Sequence, residues 1–420
     1  MMELRIRRAL LAVLSFLPCA VYNVPLNDRL ACTNGNVCHV NKDHLDFFVL
    51  GDTGGISFDV TSNYLNFIKA TEAQERLANS MADLAGRQKP DFIVNVGDNV
   101  YFNGVDTVFD SRFDTVFEEP YADPRLDVPW YMIGGNHDHL GNISAQIEYT
   151  KYSNKWTFPK LYYKASYSFA EGTRTVDILF IDTIVLCGNC IDVNGRSIFS
   201  WAMHRKKIPN EPDPEWAVEA KKQWKWIEDE LSASKADYLF VVGHYPIYSI
   251  SSHGPAKCLI EKLDPLLREY HVSAYFAGHD HTLQFFRVDN TTNTSSARTF
   301  GVSQTTSKKD HEVFLGRPNY YKDDVSTMHY LVSGAGSRTD FSSENWGSNP
   351  TEPIYYYPRD RDEPLWKRIL HAPELGYGYG GFVRFEVRND TADMYFYVKE
   401  LDMEFLDYIN RRPNVAAIKD

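Results

Sequence analysis

After residue 20, the 420-residue sequence holds no run of about 18 consecutive apolar residues, so no membrane-spanning helix is expected. It has no basic block either. The 44 Lys and Arg are outweighed by 56 Asp and Glu, for a formal net charge of −12. Binding to a phosphate backbone needs clustered positive charge, so a nucleic-acid partner is excluded. Internal repeats are absent, and no shift in composition divides the chain. Cysteine is scarce, with 6 in all. The pair Cys187-Gly-Asn-Cys190 has no second CxxC to complete four ligands, which argues against structural zinc. What is present is ordinary for a soluble globular protein: 43% apolar and 24% charged residues. Aromatics reach 14%, with 26 Tyr and 25 Phe, which points to a β-rich core.

The first twenty residues do not read as fold. Arg5, Arg7 and Arg8 precede the apolar stretch from Ala9 to Leu17, and Pro18-Cys19-Ala20 ends in a small residue. This is the pattern of a cleaved secretory signal peptide over 1–20; an uncleaved anchor is the alternative. Asn142, Asn290, Asn293 and Asn389 stand in Asn-X-Ser/Thr acceptors for glycans. The tail from Arg411 onward carries no lipid-anchor signal. A secreted or lysosomal protein is expected. Cys32, Cys38, Cys187, Cys190 and Cys258 then meet an oxidising compartment, where one or two disulfides and one leftover thiol are expected.

Short apolar runs recur, each ending in Gly and a polar cluster: Phe47–Leu50, Phe92–Val96, Trp130–Ile133, Leu179–Ile181, Tyr238–Val242 and Ala274–Ala277. Their length and β-branched or aromatic content read as buried strands. Helical patterns lie between some of them, at Thr71–Ala85, Trp216–Leu231 and Cys258–Tyr270, the second opened by Asp213 as cap and Pro214. Alternating strands and helices indicate an α/β protein. The last third turns to strands at Met328–Val332, Phe382–Val387 and Met394–Val398. The reading is a single domain over 45–400, with surface insertions near 191–212, 290–324 and 339–373, an N-terminal extension 21–44 and a tail 401–420.

The polar residues that follow these strands carry the chemistry. In order they are Gly51-Asp52-Thr53-Gly54, Gly97-Asp98-Asn99-Val100-Tyr101, Gly135-Asn136-His137-Asp138, Val242-Gly243-His244 and Gly278-His279-Asp280-His281. Sites in open α/β sheets form beyond the carboxyl ends of strands, so these side chains can converge. A lone histidine carries no such weight, and His39, His44, His204, His311, His329 and His371 are read as ordinary core or surface residues. Seven donors are too many for one ion, so two metals are expected. Asp52, Asp98 and Tyr101 are hard oxygens suited to a trivalent ion, while His244 and His279 suit divalent Fe, Zn or Mn. A shared carboxylate must hold such a pair together, and Asp98 is the natural bridge. Asp138 and Asp280 are candidates either for orienting imidazoles or for plain turn roles.

The ordered set GDTG, GDNVY, GNHD, VVGH and GHDH resembles the metallophosphoesterase signature in its purple acid phosphatase form. It is similar above all to the small animal tartrate-resistant (type 5) acid phosphatases, and the similarity extends to Asp182-Thr183, Leu186-Cys187-Gly188, Ser252-His253-Gly254-Pro255 and Leu331–Gly336. The resemblance implies a four-layer α/β/β/α sandwich with the metals at the strand ends. It implies that Asp52, Tyr101 and His281 bind Fe(III), that Asn136, His244 and His279 hold a second metal, Fe(II), Zn(II) or Mn(II), and that Asp98 bridges. His137 would contact the substrate phosphate, and His253 would stand near the leaving group. Cys187 and Cys258 match the family's disulfide; Cys32 and Cys38 lie outside that pattern and are read as a second, local pair. The expected activity is hydrolysis of phosphate monoesters in acid, with a metal-bound hydroxide as nucleophile. The alternatives are a phosphoesterase with two divalent metals and an iron-binding or peroxide-handling glycoprotein that uses the same centre.

Overall fold

The computed structural model describes residues 30–55, 57–58, 68–188, 214–288, 310–316, 328–340, 342–357, 380–389 and 391–399. The segment read as a signal peptide, Cys190, the segment 191–212 read as an insertion, His204, the expected cap Asp213, Asn290, Asn293, His371 and the tail 401–420 lie outside the described residues.

Two sheets make up the body. One has seven strands in the order 310–316, Thr391–Lys399, Gly380–Val387, Leu45–Leu50, Phe92–Asn95, Trp130–Met132 and Trp156–Thr157. The other has eight, in the order Val37–His39, Tyr163–Phe169, Arg174–Phe180, Tyr238–Val242, Ala274–Ala277, Met328–Ser333, Leu283–Val288 and Tyr355–Tyr357. The centre of each sheet is parallel: Leu45–Leu50 through Trp156–Thr157 in the first, and Arg174–Phe180 through Met328–Ser333 in the second.

The central strands read as nearly unbroken apolar runs because both of their faces are covered. Along one strand Ile178 and Phe180 enter the core between the sheets, while Leu179 and Ile181 point to the outer face. Phe240 and Val242 alternate with Leu239 and Val241 in the same way. Between the sheets Phe47 stacks on Phe92 at 4.9 Å and on Phe385 at 5.1 Å, and reaches across to Phe240 at 6.0 Å and Phe276 at 6.3 Å. On the outer face of the eight-stranded sheet, Ile227 and Leu231 of helix Pro214–Ala233 pack with Leu259, Leu263 and Leu267 of helix Lys257–Glu269. Helix Glu72–Gln88 covers the other sheet against Gly380–Val387 and Thr391–Lys399. It starts where Thr71 accepts a hydrogen bond from the Gln74 amide and stops at Lys89 in the left-handed region. The expected α/β/β/α sandwich is therefore the architecture. Among the described residues no helix is long and apolar enough to cross a membrane.

Several elements differ from the sequence-based expectation. Tyr163–Phe169 is a strand that Lys and Ser residues disguise; it forms a hairpin with Arg174–Phe180. Leu283–Val288 is a further strand, antiparallel between Met328–Ser333 and Tyr355–Tyr357. Within the segments 290–324 and 339–373, read as surface insertions, the stretches 310–316 and Tyr355–Tyr357 add edge strands to the sheets. Val37–His39, within the segment read as an extension, pairs with Tyr163–Phe169. Cys32 and Cys38 form a local disulfide that closes the loop before that strand. Cys187 and Cys258 form a second, joining helix Thr183–Cys187 to the start of helix Lys257–Glu269.

The inter-sheet aromatic stack should dominate stability. Phe47→Ala is expected to cost about 3–5 kcal/mol in urea unfolding, whereas Phe109→Ala, at a ring 78% exposed, should stay within about 0.5 kcal/mol of the parent.

Candidate metal centre

The carboxyl ends of both parallel strand sets meet at one edge of the sandwich. Asp52, Asp98 and Asn136 follow strands Leu45–Leu50, Phe92–Asn95 and Trp130–Met132; His244 and the His279–His281 segment follow Tyr238–Val242 and Ala274–Ala277. Asp52, Asp98 and His279 adopt φ of 56°, 53° and 68°. Left-handed backbone is disfavoured for residues with a Cβ, and its clustering here marks a site where surrounding structure holds strain for a purpose. Two glycines make room. A Cβ at Gly135 would stand 2.1 Å from Asp98 Oδ1, and one at Gly278 would stand 2.4 Å from Asp52 Oδ2.

All seven expected donors come together. Tyr101 Oη donates to Asp52 Oδ1 at 3.0 Å and lies 3.1 Å from His281 Nε2, which is itself 3.5 Å from Asp52 Oδ1. On the other side His244 Nε2 is 2.8 Å from Asn136 Oδ1 and 3.4 Å from Asp98 Oδ1. Ligand atoms of Asp98, His244 and His279 lie within 4.8 Å of one another. The His279 amide donates to Asp52 Oδ2 at 3.0 Å, linking the two groups. His244 is oriented by its Nδ1, which donates to the Val96 carbonyl at 2.9 Å and leaves Nε2 turned into the cluster.

Burial sets the electrostatics. It raises Asp52 to about 8, reinforced by the nearby Asp98 charge and opposed by His244. Burial acts upward on Asp98 too, but His244 and His137 hold it well below the usual carboxylate range. Burial pulls His244 down, yet Asp98 and Asp52 lift it to about 9. His279 is driven well below the usual imidazole range by burial and then by His253 and His244, and His281 by burial and then by Arg338. Tyr101 is raised by burial, Asp52 and Asp98. Carboxylates, a phenol, an amide oxygen and imidazoles thus crowd together with their lone pairs inward and no solvent to screen them. This donor set fits a pair of cations, which would favour the ionised forms of Asp52 and Tyr101 and the neutral forms of the histidines.

Two less buried histidines border the cluster. His137 lies with Nδ1 2.7 Å from the Phe102 carbonyl and Nε2 4.0 Å from Asp98 Oδ2, its side chain 15% exposed. His253 is 25% exposed, and its ring centroid is 4.3 Å from that of His279. Asp280 accepts from the His253 backbone amide at 3.1 Å and from its Nδ1 at 2.9 Å, and is braced by the Ser249 hydroxyl at 2.5 Å. Asp280 therefore orients an imidazole, as one of its two expected roles required. Asp138 does not. Its buried carboxylate accepts from the amides of Asn99, Val100 and Gly135 and from Gln146 Nε2, pinning the Asp98 and Asn136 loops to each other. Of the other histidines, His39 meets Ser168, His44 meets Asp43 and His329 meets the Ser273 carbonyl.

One residue at the centre was not anticipated. Arg338 is 8% exposed, and its guanidinium carbon lies 4.4 Å from the centroid of the Tyr101 ring and its Nη2 3.2 Å from His281 Nε2. The available signal was positional. Arg338 follows the parallel strand Met328–Ser333, as the metal-type residues follow theirs, but an arginine is not a metal donor.

The sequence matches the profile of the calcineurin-like phosphoesterases over residues 45–283. It is 40% identical over 247 residues to the tartrate-resistant acid phosphatase type 5 of Mus musculus, covering 59% of this chain and 69% of that one. It is 30% identical over 325 residues to purple acid phosphatase 17 of Arabidopsis thaliana, covering 76% and 87%. Among solved structures, Plasmodium GAP50, described as the anchor in the inner membrane complex, superposes with a TM-score of 0.56 at 21% identity over 86% of this chain and 89% of its own; this likeness concerns the fold alone. A match over more than half of the chain, and relatives at this identity covered over more than two thirds of their length, lead to one conclusion: the chain belongs to the calcineurin-like phosphoesterase family, among its purple acid phosphatases, and is a phosphatase.

Proposed function

We propose that the chain is an acid phosphatase that hydrolyses phosphate monoesters at a dinuclear centre of Fe(III) and a divalent metal, Fe(II), Zn(II) or Mn(II). The convergence of seven buried donors next to the Asp280–His253 pair carries this reading. Asp52, Tyr101 and His281, rich in hard oxygen, would hold the ferric ion. Asn136, His244 and His279 would hold the divalent one, with Asp98 between them. When bound, such a metal pair supplies Lewis acidity toward the phosphoryl oxygens and an activated water.

The chain's own residues do the rest. His137 stands beside Asp98; the Phe102 carbonyl takes its Nδ1 proton, so in its imidazolium form Nε2 can donate to a phosphoryl oxygen. A carboxylate only accepts, so Asp280 fixes the His253 proton at Nδ1 and makes Nε2 the nitrogen that exchanges protons with the reacting groups. In its imidazolium form His253 delivers the Nε2 proton to the alkoxide oxygen as the P–O bond breaks, and the alcohol departs neutral. That form is favoured in acid. No covalent bond to the protein is needed. Export to an extracellular or lysosomal compartment is part of the proposal. It is supported by the signal-like residues 1–20, by two disulfides of the kind that persist in oxidising compartments, and by the glycan acceptors Asn142 and Asn389, both exposed.

Metal analysis and a visible spectrum of freshly purified protein test the reading, together with turnover of p-nitrophenyl phosphate and its diester. Iron, colour and a preference for the monoester are expected; a colourless, iron-free protein would overturn the proposal. Tyr101→Phe should bleach the phenolate-to-iron band, read as lost visible absorbance per bound iron. His253→Ala should keep the colour while kcat at pH 5 falls by roughly 10²–10⁴-fold.

A further inference from the structure

Among the described residues, Arg338 is a buried cation without a proper partner. Among the described residues no carboxylate forms an ion pair with it, although Asp340 is near enough to feel its charge. Its Nη1 is buried and has no hydrogen-bond acceptor among the described residues. Its Nε is 3.3 Å from His281 Nδ1 and its Nη2 is 3.2 Å from His281 Nε2. A neutral imidazole offers only one acceptor nitrogen, so it can satisfy at most one of these N–H groups. The guanidinium is steadied by the face of the Tyr101 ring, at 4.4 Å, a contact that adds attraction but accepts no conventional hydrogen bond. A charge placed this way is costly unless something supplies acceptor oxygens. The planar fork of N–H donors matches the edge of a tetrahedral oxyanion, which it can engage with two parallel hydrogen bonds.

We propose that Arg338 is a phosphate-binding residue, which takes phosphoryl oxygens of the substrate from the Tyr101–His281 side of the centre. The inference rests on the phosphatase reading and deepens it. The chain carries a net charge of −12, a field that disfavours anions at long range; a buried guanidinium at the reaction centre opposes it where the substrate binds. An additional full positive charge also favours a monoester dianion over a diester monoanion, so Arg338 serves selectivity as well as affinity.

The test is calorimetric titration of inorganic phosphate into the purified holoprotein, for the parent, Arg338→Met and Arg338→Lys. Iron content, the visible band and the monoester-to-diester ratio of kcat/KM are measured alongside. Loss of a charge-assisted hydrogen bond predicts phosphate binding weakened about 10–100-fold in Arg338→Met. A smaller loss is expected in Arg338→Lys, which keeps the charge but not the fork. Iron and colour should be unchanged in both, and the monoester preference should narrow in Arg338→Met. Should the methionine variant fail to fold, a lysine variant with full iron and weakened phosphate binding carries the same conclusion. Phosphate affinity within twofold of the parent in folded variants overturns the proposal. So does loss of iron and colour in both variants, which would make Arg338 a prop for His281. A parent protein lacking iron and turnover would instead sink the phosphatase reading itself.

Discussion

Two buried carboxylates, Asp52 and Asp98, lie near enough to feel each other's charge at the edge where two sheets converge. Their mutual repulsion, and their attraction for the imidazole of His244, organise the region around them. Burial raises Asp52 to about 8 while His244 and His137 hold Asp98 down. A site of this kind is unstable as a collection of free charges and coherent as a set of metal donors. Much of the surrounding structure holds the donors in place: left-handed backbone at Asp52, Asp98 and His279, glycines at 135 and 278 where any Cβ would strike a carboxylate, and the Asp138 brace between loops.

The sandwich makes that arrangement affordable. Its central strands are covered on both faces, and the Phe47, Phe240, Phe276 and Phe385 cluster ties the sheets together well below the site. Ligand loops that emerge directly from such strands inherit their rigidity, which is how strained local geometry persists. Exposure rises outward from the centre. Asp52 and His244 are fully buried, whereas His137 and His253 retain partial access. Groups suited to holding ions are thus shielded, and those suited to touching a substrate stand at the rim.

Five strand-end motifs were legible because Gly followed by Asp, Asn or His after an apolar run is unusual when repeated in order. Helix Glu72–Gln88 was legible from its apolar spacing, whereas its Thr71 cap showed only in the structure. Tyr163–Phe169 was not, because its Lys and Ser residues break the apolar run that marks a buried strand. The edge strands at 310–316 and Tyr355–Tyr357 lie in polar surroundings, where only pairing with a neighbour shows their nature. Arg338 escaped notice since its role depends on what lies beside it and not on its residue type.

The order and chemical type of the donors were inherent in the chain: hard oxygens first, imidazoles last, each after a strand. Covalent sequence alone carries that much because strand propensity and ligand identity are local properties. Which side chains share a centre, which of Asp138 and Asp280 orients an imidazole, and which arginine is left buried with donors to spare were decided by tertiary packing. Those outcomes depend on distances between segments separated by up to about 290 residues, which no local pattern encodes.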